Sequence, residues 1–196
     1  MTLANRITIA RILLLPVFVI LVLEVAGAEA EGDSFFRYCA AGLFALMAIG
    51  DALDGYFARR RNERTDLGRI LDPLADKLLL DTTCVLLASR HWVEPRLPFW
   101  VPVVVISRDG FILLGCVVIF FLRGRLDVRP SIVGKLTTVF QILLIAAAFF
   151  APDGLISRKT LETMAWIVVS LTVLSGVDYM YASARHLAEH ENTGNE

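Results

Sequence analysis

Apolar positions along this chain gather into six long runs, at approximately 10–25, 35–57, 70–88, 98–121, 134–151 and 161–182. Each approaches the roughly 20 apolar residues that a helix needs to cross the hydrocarbon core of a bilayer. The pattern therefore predicts an all-α membrane protein with six transmembrane helices. Ahead of the first run, the segment Leu3 to Arg11 mixes polar with apolar positions, as a short N-terminal interfacial helix would. Gly27, Gly32, Pro95, Pro98, Gly124, Pro130, Pro152 and Gly154 are assigned to the connections, where helix breakers cost least. No linker, internal repeat or low-complexity tract divides the chain. Residues 1–185 read as one transmembrane domain, followed by a polar C-terminal tail, 186–196, whose end is expected to fray.

Composition agrees with that pattern. A hydrophobic content of 56% and a mean hydropathy of +0.63 exceed what a soluble globule of 196 residues needs to fill its core. The net charge of -1 gives no global field for nucleic acid or an acidic macromolecule as partner. Cys39, Cys84 and Cys116 stand singly in separate apolar stretches and read as small core residues. The first apolar run continues past Pro16 into an acidic loop with no A-x-A-like site, so no cleavable signal peptide is expected.

The cations set the orientation. Arg6, Arg11, Arg59, Arg60, Arg61, Arg64, Arg69, Arg123, Arg125, Arg129, Lys135 and Arg185 fall on one side, twelve against the five of Arg37, Arg90, Arg96, Arg158 and Lys159 on the other. Cytoplasmic loops carry the Lys and Arg excess, so both termini are expected to face the cytoplasm.

The second and third spans hold what a membrane helix avoids: Asp51, Asp54, Asp72, Asp76 and Asp81, with Lys77 among them. Each such charge at a helix centre costs about 2.5–3.5 kcal/mol on insertion scales, so a cluster implies a compensating use. Asp51 and Asp54 are three apart and Asp72 and Asp76 four apart, so each pair projects from one helix face, near the cytoplasmic ends of antiparallel neighbours. Four carboxylates converging there would repel one another unless divalent cations with a preference for oxygen, Mg²⁺ or Mn²⁺, sat between them. Gly55, Ala58 and Gly68 leave room for a ligand beside the acids, and the Arg59 guanidinium suits a phosphate. Together these residues describe a pyrophosphate site. Arg60, Arg61 and Arg64 need no such role, because cations at span ends snorkel to the interface.

The full string, Asp51-x2-Asp54-Gly55-x2-Ala58-Arg59-x8-Gly68-x3-Asp72-x3-Asp76, matches at every fixed position the signature of the CDP-alcohol phosphotransferase (phosphatidyltransferase) family. A looser resemblance covers roughly residues 3–182. It includes Asn5-x2-Thr8-x2-Arg11, Asp72-Pro73-Leu74-Ala75-Asp76-Lys77, Gly134-Lys135-x2-Thr138 and Ser175-Gly176-x-Asp178-Tyr179. These additional motifs resemble the branch that makes phosphatidylglycerol phosphate from CDP-diacylglycerol and glycerol 3-phosphate, or the related cardiolipin synthases.

The resemblance implies six transmembrane helices, a homodimer, and an active site open to the cytoplasmic leaflet of the cell membrane, the inner membrane in a bacterium. It also implies two divalent ions bound by Asp51, Asp54 and Asp72. Asp76 would accept the acceptor hydroxyl's proton and touch a metal as well. The CDP moiety would be held by Gly55, Ala58, Arg59 and Gly68 together with Asp51, and by Thr8 and Asn5.

For the acceptor, a phosphorylated or lipid alcohol, the candidates to grip a phosphate are Arg108, Lys135 and Arg129. Arg108 lies deep in the fourth span, where it must pair with Asp109 or another acid, or line a polar cavity. Lys77 and Asp81, four apart, are expected to neutralise each other. Relatives that use glycerol phosphate are expected to carry Arg-Glu where this chain has Arg108-Asp109, a pair that resembles the cardiolipin-type enzymes. Phosphatidylglycerol as acceptor is therefore the alternative within the family. A divalent-metal carrier is the alternative from another class, since it too needs intramembrane acids, and it predicts transport without CMP release. A noncatalytic scaffold leaves the Gly, Ala and Arg positions unexplained. His186 and His190 are two isolated histidines, an incomplete zinc site.

Overall fold

A backbone that runs through hydrocarbon has no water to hydrogen-bond with, so each long apolar run must close its hydrogen bonds internally, as a helix. The computed structural model describes the backbone of residues 3–30, 33–61, 66–123 and 132–193, and the side chains of residues 9–29, 33–50, 77–115 and 132–179. Among the described residues the chain forms six α-helices and no strand: α1 Leu3–Ala30, α2 Phe35–Arg61, α3 Asp66–Ala88, α4 Trp100–Arg123, α5 Ile132–Phe150 and α6 Arg158–Thr193.

Among the described residues three stretches are long and apolar enough to cross a membrane: Ile9–Glu29, Ile132–Asp153 and Arg158–Tyr179. Phe35–Gly50 in α2 is a shorter apolar helix. The shortest of the six helices, α5, has 19 residues, so length alone would let every one of them cross. What separates α3 from the three apolar stretches is its charge, which includes Asp72, Asp76, Lys77 and Asp81.

Sequence expectations change at the N-terminal end. The segment from Leu3 to Arg11 is not a separate interfacial helix, because α1 runs unbroken through it and through Pro16 to Ala30. Nothing between Leu3 and Arg11 is a helix breaker, so the first turns simply continue into the span. Gly27 accordingly lies inside α1 rather than in a connection. At the other end, α6 carries helical backbone to Thr193, well into the stretch read as a polar tail.

Helix α1 packs against α2 and α3, α3 against α4 and α5, α5 against α2 and α6, and α4 against α6. The core is therefore shared by all six helices. Phe18, Phe44, Phe149 and Trp92 run through it as a chain of ring contacts, with centroids 6.3, 6.0 and 5.3 Å apart. Cys84 is buried, with the Gln141 amide nitrogen 3.7 Å from its sulfur, as a small core residue should be. Leu13, Ile20, Leu46, Phe111, Ile132 and Leu174 are exposed. Such an apolar surface fits lipid as its surroundings.

The loop end of the bundle is fastened by Arg37, whose side chain is only 2% exposed. Its Nε donates to Glu29 at 2.6 Å, Nη1 to the Phe149 carbonyl and Asp153 at 2.8 Å each, and Nη2 to Asp153 at 2.5 Å and Ser34 at 3.1 Å. One guanidinium thus joins the end of α1, the start of α2 and the turn between α5 and α6. That turn, Ala151–Asp153, closes on Gly154 at φ +76°, a left-handed conformation that glycine adopts without strain. At the same end, Trp100 and Trp166 stack with centroids 4.6 Å apart beside a cavity of about 510 Å³, in the manner of an interfacial aromatic belt.

Candidate functional site

The signature residues occupy two successive helices. Asp51, Asp54, Gly55, Ala58 and Arg59 lie in the C-terminal half of α2, and Gly68, Asp72 and Asp76 in the N-terminal half of α3. The helical backbone is unbroken at both places, so the spacing of three and of four residues within each acidic pair is kept along one helix. Their side chains lie outside the described residues, as do those of Asn5 and Thr8 in α1. Arg64 and Arg129 lie outside them too, as do the side chains of Arg60, Arg61, His186 and His190.

Directly after Asp76, the described side chains begin with a polar cluster shared by four helices. Lys77 on α3 forms an ion pair with Asp109 on α4. The same carboxylate oxygen accepts from Arg108 Nη1 at 2.6 Å. Arg108 Nη2 donates to Ser175 Oγ on α6 at 2.5 Å, and a Cβ placed on Gly134 of α5 would lie 3.1 Å from that same nitrogen. Arg108 therefore crosses from α4 to the seam between α5 and α6, with its head group over bare glycine backbone.

This corrects the expected Lys77–Asp81 pair. The i, i+4 rule sees only one helix, whereas packing of α3 on α4 brings Asp109 to Lys77. Asp81 keeps a buried Oδ1 with no hydrogen-bond partner among the described residues, and so does Arg108 at Nε. Two cations and two carboxylates cancel in formal charge, which makes the cluster tolerable in an apolar bundle.

Of the acceptor candidates, Arg108 is partly buried and doubly held, paired with Asp109 as one sequence alternative required. Lys135 is exposed in the first turn of α5, next to Gly134. Sequence reasoning noticed Gly134 and Ser175 within motifs but assigned them no role. Their signal is that small residues within apolar helices permit close approach of another element. A second instance is Gly115 on α4, where a Cβ would lie 3.0 Å from the Tyr179 ring of α6.

Among the described residues no group of His, Cys, Asp and Glu is placed to hold a metal ion. The side chains of the four aspartates that could do so lie outside the described ones. Their chemistry fits a hard divalent ion, since all the donors are carboxylate oxygens and the eight signature residues include neither cysteine nor histidine.

Comparison with known proteins converges on one family. The family model for CDP-alcohol phosphatidyltransferase matches residues 1–177. The chain is 34% identical over 184 residues to the CDP-diacylglycerol--glycerol-3-phosphate 3-phosphatidyltransferase of Bacillus subtilis, covering 90% of this chain and 92% of that one. The enzyme of the same name from Aquifex aeolicus is 31% identical over 181 residues, covering 91% and 94%. A probable phosphatidylglycerophosphate synthase of Mycobacterium tuberculosis is 31% identical over 186 residues, covering 94% and 83%.

Proposed function

The chain belongs to the CDP-alcohol phosphatidyltransferase family, and on that premise we propose that it transfers a phosphatidyl group from CDP-diacylglycerol to glycerol 3-phosphate. The products are phosphatidylglycerol phosphate and CMP. The observation that carries this reading is that all eight signature residues fall on two successive helices, five on α2 and three on α3.

In the proposed mechanism Gly55, Ala58, Arg59 and Gly68, with Asp51, Asn5 and Thr8, bind the CDP moiety. The acyl chains stay in lipid. Asp51, Asp54 and Asp72, with Asp76 beside them, would hold two divalent ions, Mg²⁺ or Mn²⁺. When bound, such ions neutralise a diphosphate and acidify a nearby hydroxyl. Arg108, Lys135 and Arg129 orient the acceptor by its phosphate. The acceptor oxygen bonds to the phosphatidyl phosphorus and the bond from that phosphorus to CMP breaks, its electron pair leaving with CMP. The hydroxyl proton passes to a carboxylate oxygen of Asp76, a weak base that suffices once the hydroxyl is acidified.

The proposal extends to six membrane crossings, a homodimer and an active site facing the cytoplasm. Twelve cations against five support that orientation. The dimer rests on the family resemblance.

Purified protein supplied with CDP-diacylglycerol, Mg²⁺ or Mn²⁺ and one acceptor at a time tests the reading. Glycerol 3-phosphate should yield phosphatidylglycerol phosphate and stoichiometric CMP. Cardiolipin formed from phosphatidylglycerol alone would move the assignment to the alternative that Arg108-Asp109 favours. Metal transport without CMP release would replace the enzyme by a carrier. Asp76→Asn should retain CDP-diacylglycerol binding and lose turnover, and near-normal turnover would remove its role as base.

A further inference from the structure

Arginine is long and flexible, and holding it in one geometry sacrifices rotamer entropy that a site recovers only if the head group arrives already oriented. Arg108 is held at three places. Its Nη1 lies 2.6 Å from Asp109 and its Nη2 lies 2.5 Å from Ser175 Oγ. The third contact is with backbone. A Cβ at Gly134 would lie 3.1 Å from Nη2 and 3.4 Å from Ser175 Oγ, and one at Gly176 would lie 3.8 Å from the Arg108 Cγ. The stem thus runs over Gly176 and the head rests on Gly134, with Ser175 at the tip.

We infer that Ser175 and Gly134 are positioning residues, forming a slot between α5 and α6 that aims the Arg108 guanidinium at the acceptor's phosphate. This rests on the reading above that Arg108 grips that phosphate. Serine suits the task because it fixes Nη2 without cancelling charge, as a carboxylate would. Asp109 is shared between Lys77 and Arg108, so neither cation is neutralised completely. Arg108 also retains Nε, buried and without a hydrogen-bond partner among the described residues. Any side chain at position 134 would displace the head group or Ser175 by some tenths of an ångström. Misplacement on that scale matters where a guanidinium must meet a phosphate squarely.

The test is steady-state CMP release by the full chain in lipid nanodiscs, with glycerol 3-phosphate and CDP-diacylglycerol varied separately. Ser175→Ala and Gly134→Ala should each raise the KM for glycerol 3-phosphate about tenfold, the scale of one lost hydrogen bond to a charged group. The KM for CDP-diacylglycerol should stay within about twofold on the same reasoning, and Ser175→Thr, which keeps the hydroxyl, should restore most of the acceptor affinity. Equal rises in both KM values, or a lower melting temperature with both KM values intact, would overturn the slot. Arg108→Ala separates the two readings. If it leaves the acceptor KM unchanged, Arg108 does not grip the acceptor. If it raises that KM while Ser175→Ala does not, only the slot fails. Should Gly134→Ala not fold, the Ser175 pair decides alone.

Discussion

Arg37 and Arg108 are both withdrawn from water, Arg37 fully and Arg108 in part, and they are treated in opposite ways. Arg37 has five N–H groups and uses all of them, on two carboxylates, a hydroxyl and the Phe149 carbonyl. Arg108 spends one on a carboxylate that it shares with Lys77 and one on a hydroxyl, and its Nε has no partner among the described residues. A fully bonded guanidinium has nothing left to offer a ligand and serves to hold helices together. An incompletely bonded one in an apolar setting costs stability, which fits a site that keeps binding capacity in reserve. The first stands at the end where α1 meets α2 and α5 meets α6, and the second belongs to the cluster around Lys77, the residue that follows Asp76 in α3.

The sharpest way to break this contrast is to remove each arginine in turn. Arg37→Met leaves Glu29 and Asp153 facing each other without their shared cation and strands the Phe149 carbonyl. A loss of about 3–5 kcal/mol in unfolding free energy is expected, the range for breaking a buried pair. The fraction that remains folded should turn over normally, measured as CMP release per folded molecule. Arg108→Met should do the reverse. Asp109 keeps Lys77 as partner, so stability should fall by no more than about 1 kcal/mol. Transition-state stabilisation should fall by about 2–3 kcal/mol, or roughly 30- to 150-fold in kcat/KM for the acceptor. Melting curves and acceptor kinetics on both variants decide it. If Arg37→Met proves stable, or Arg108→Met unfolds, the assignment of roles is inverted.

Asp109→Asn should have a smaller effect. It frees Lys77 and Arg108 together, yet Asp81 is one turn from Lys77 on α3 and has an unused oxygen. The pair that sequence spacing alone predicts can then form, and the cost should be held to about 1–2 kcal/mol. Asp81→Asn in the same chain removes that substitute. The double variant should be destabilised by more than the sum of the two single changes, as expected for residues that share a partner. Strict additivity in chemical denaturation would show that Asp81 never takes Lys77.

That case also marks where sequence reading stops. The helices were legible because the run length needed to cross a bilayer is fixed by geometry, and α2 to α5 begin and end within several residues of the apolar runs. The eight-residue signature was legible because helical spacing is local. Partners across helices were not. Arg37 reads in sequence as one more loop cation, and its bond to Asp153 spans 116 residues. Gly134 and Ser175 stand out as motif members, but only packing against α4 brings Arg108 to them. The start of α1 departs from the polarity pattern for a different reason, since mixed polarity marks an interface but does not break a helix.

The smallest expected effect lies in the turn that supplies Asp153 to Arg37. Gly154 has φ +76° and ψ 1°, and its N–H donates to the Ala151 carbonyl at 3.0 Å. A Cβ at this position would meet nothing within 4 Å, so substitution adds no clash and its cost is conformational alone. Gly154→Ala should therefore destabilise by about 1 kcal/mol, the low end of the left-handed penalty. Asn, which tolerates that region better than other side chains, should cost less. If the turn matters chiefly because it presents Asp153, the Ala penalty should shrink when Arg37→Met is already in place, because there is then no guanidinium to meet. An unchanged penalty in the double variant would assign the whole cost to the backbone and leave Arg37 independent of the turn's conformation.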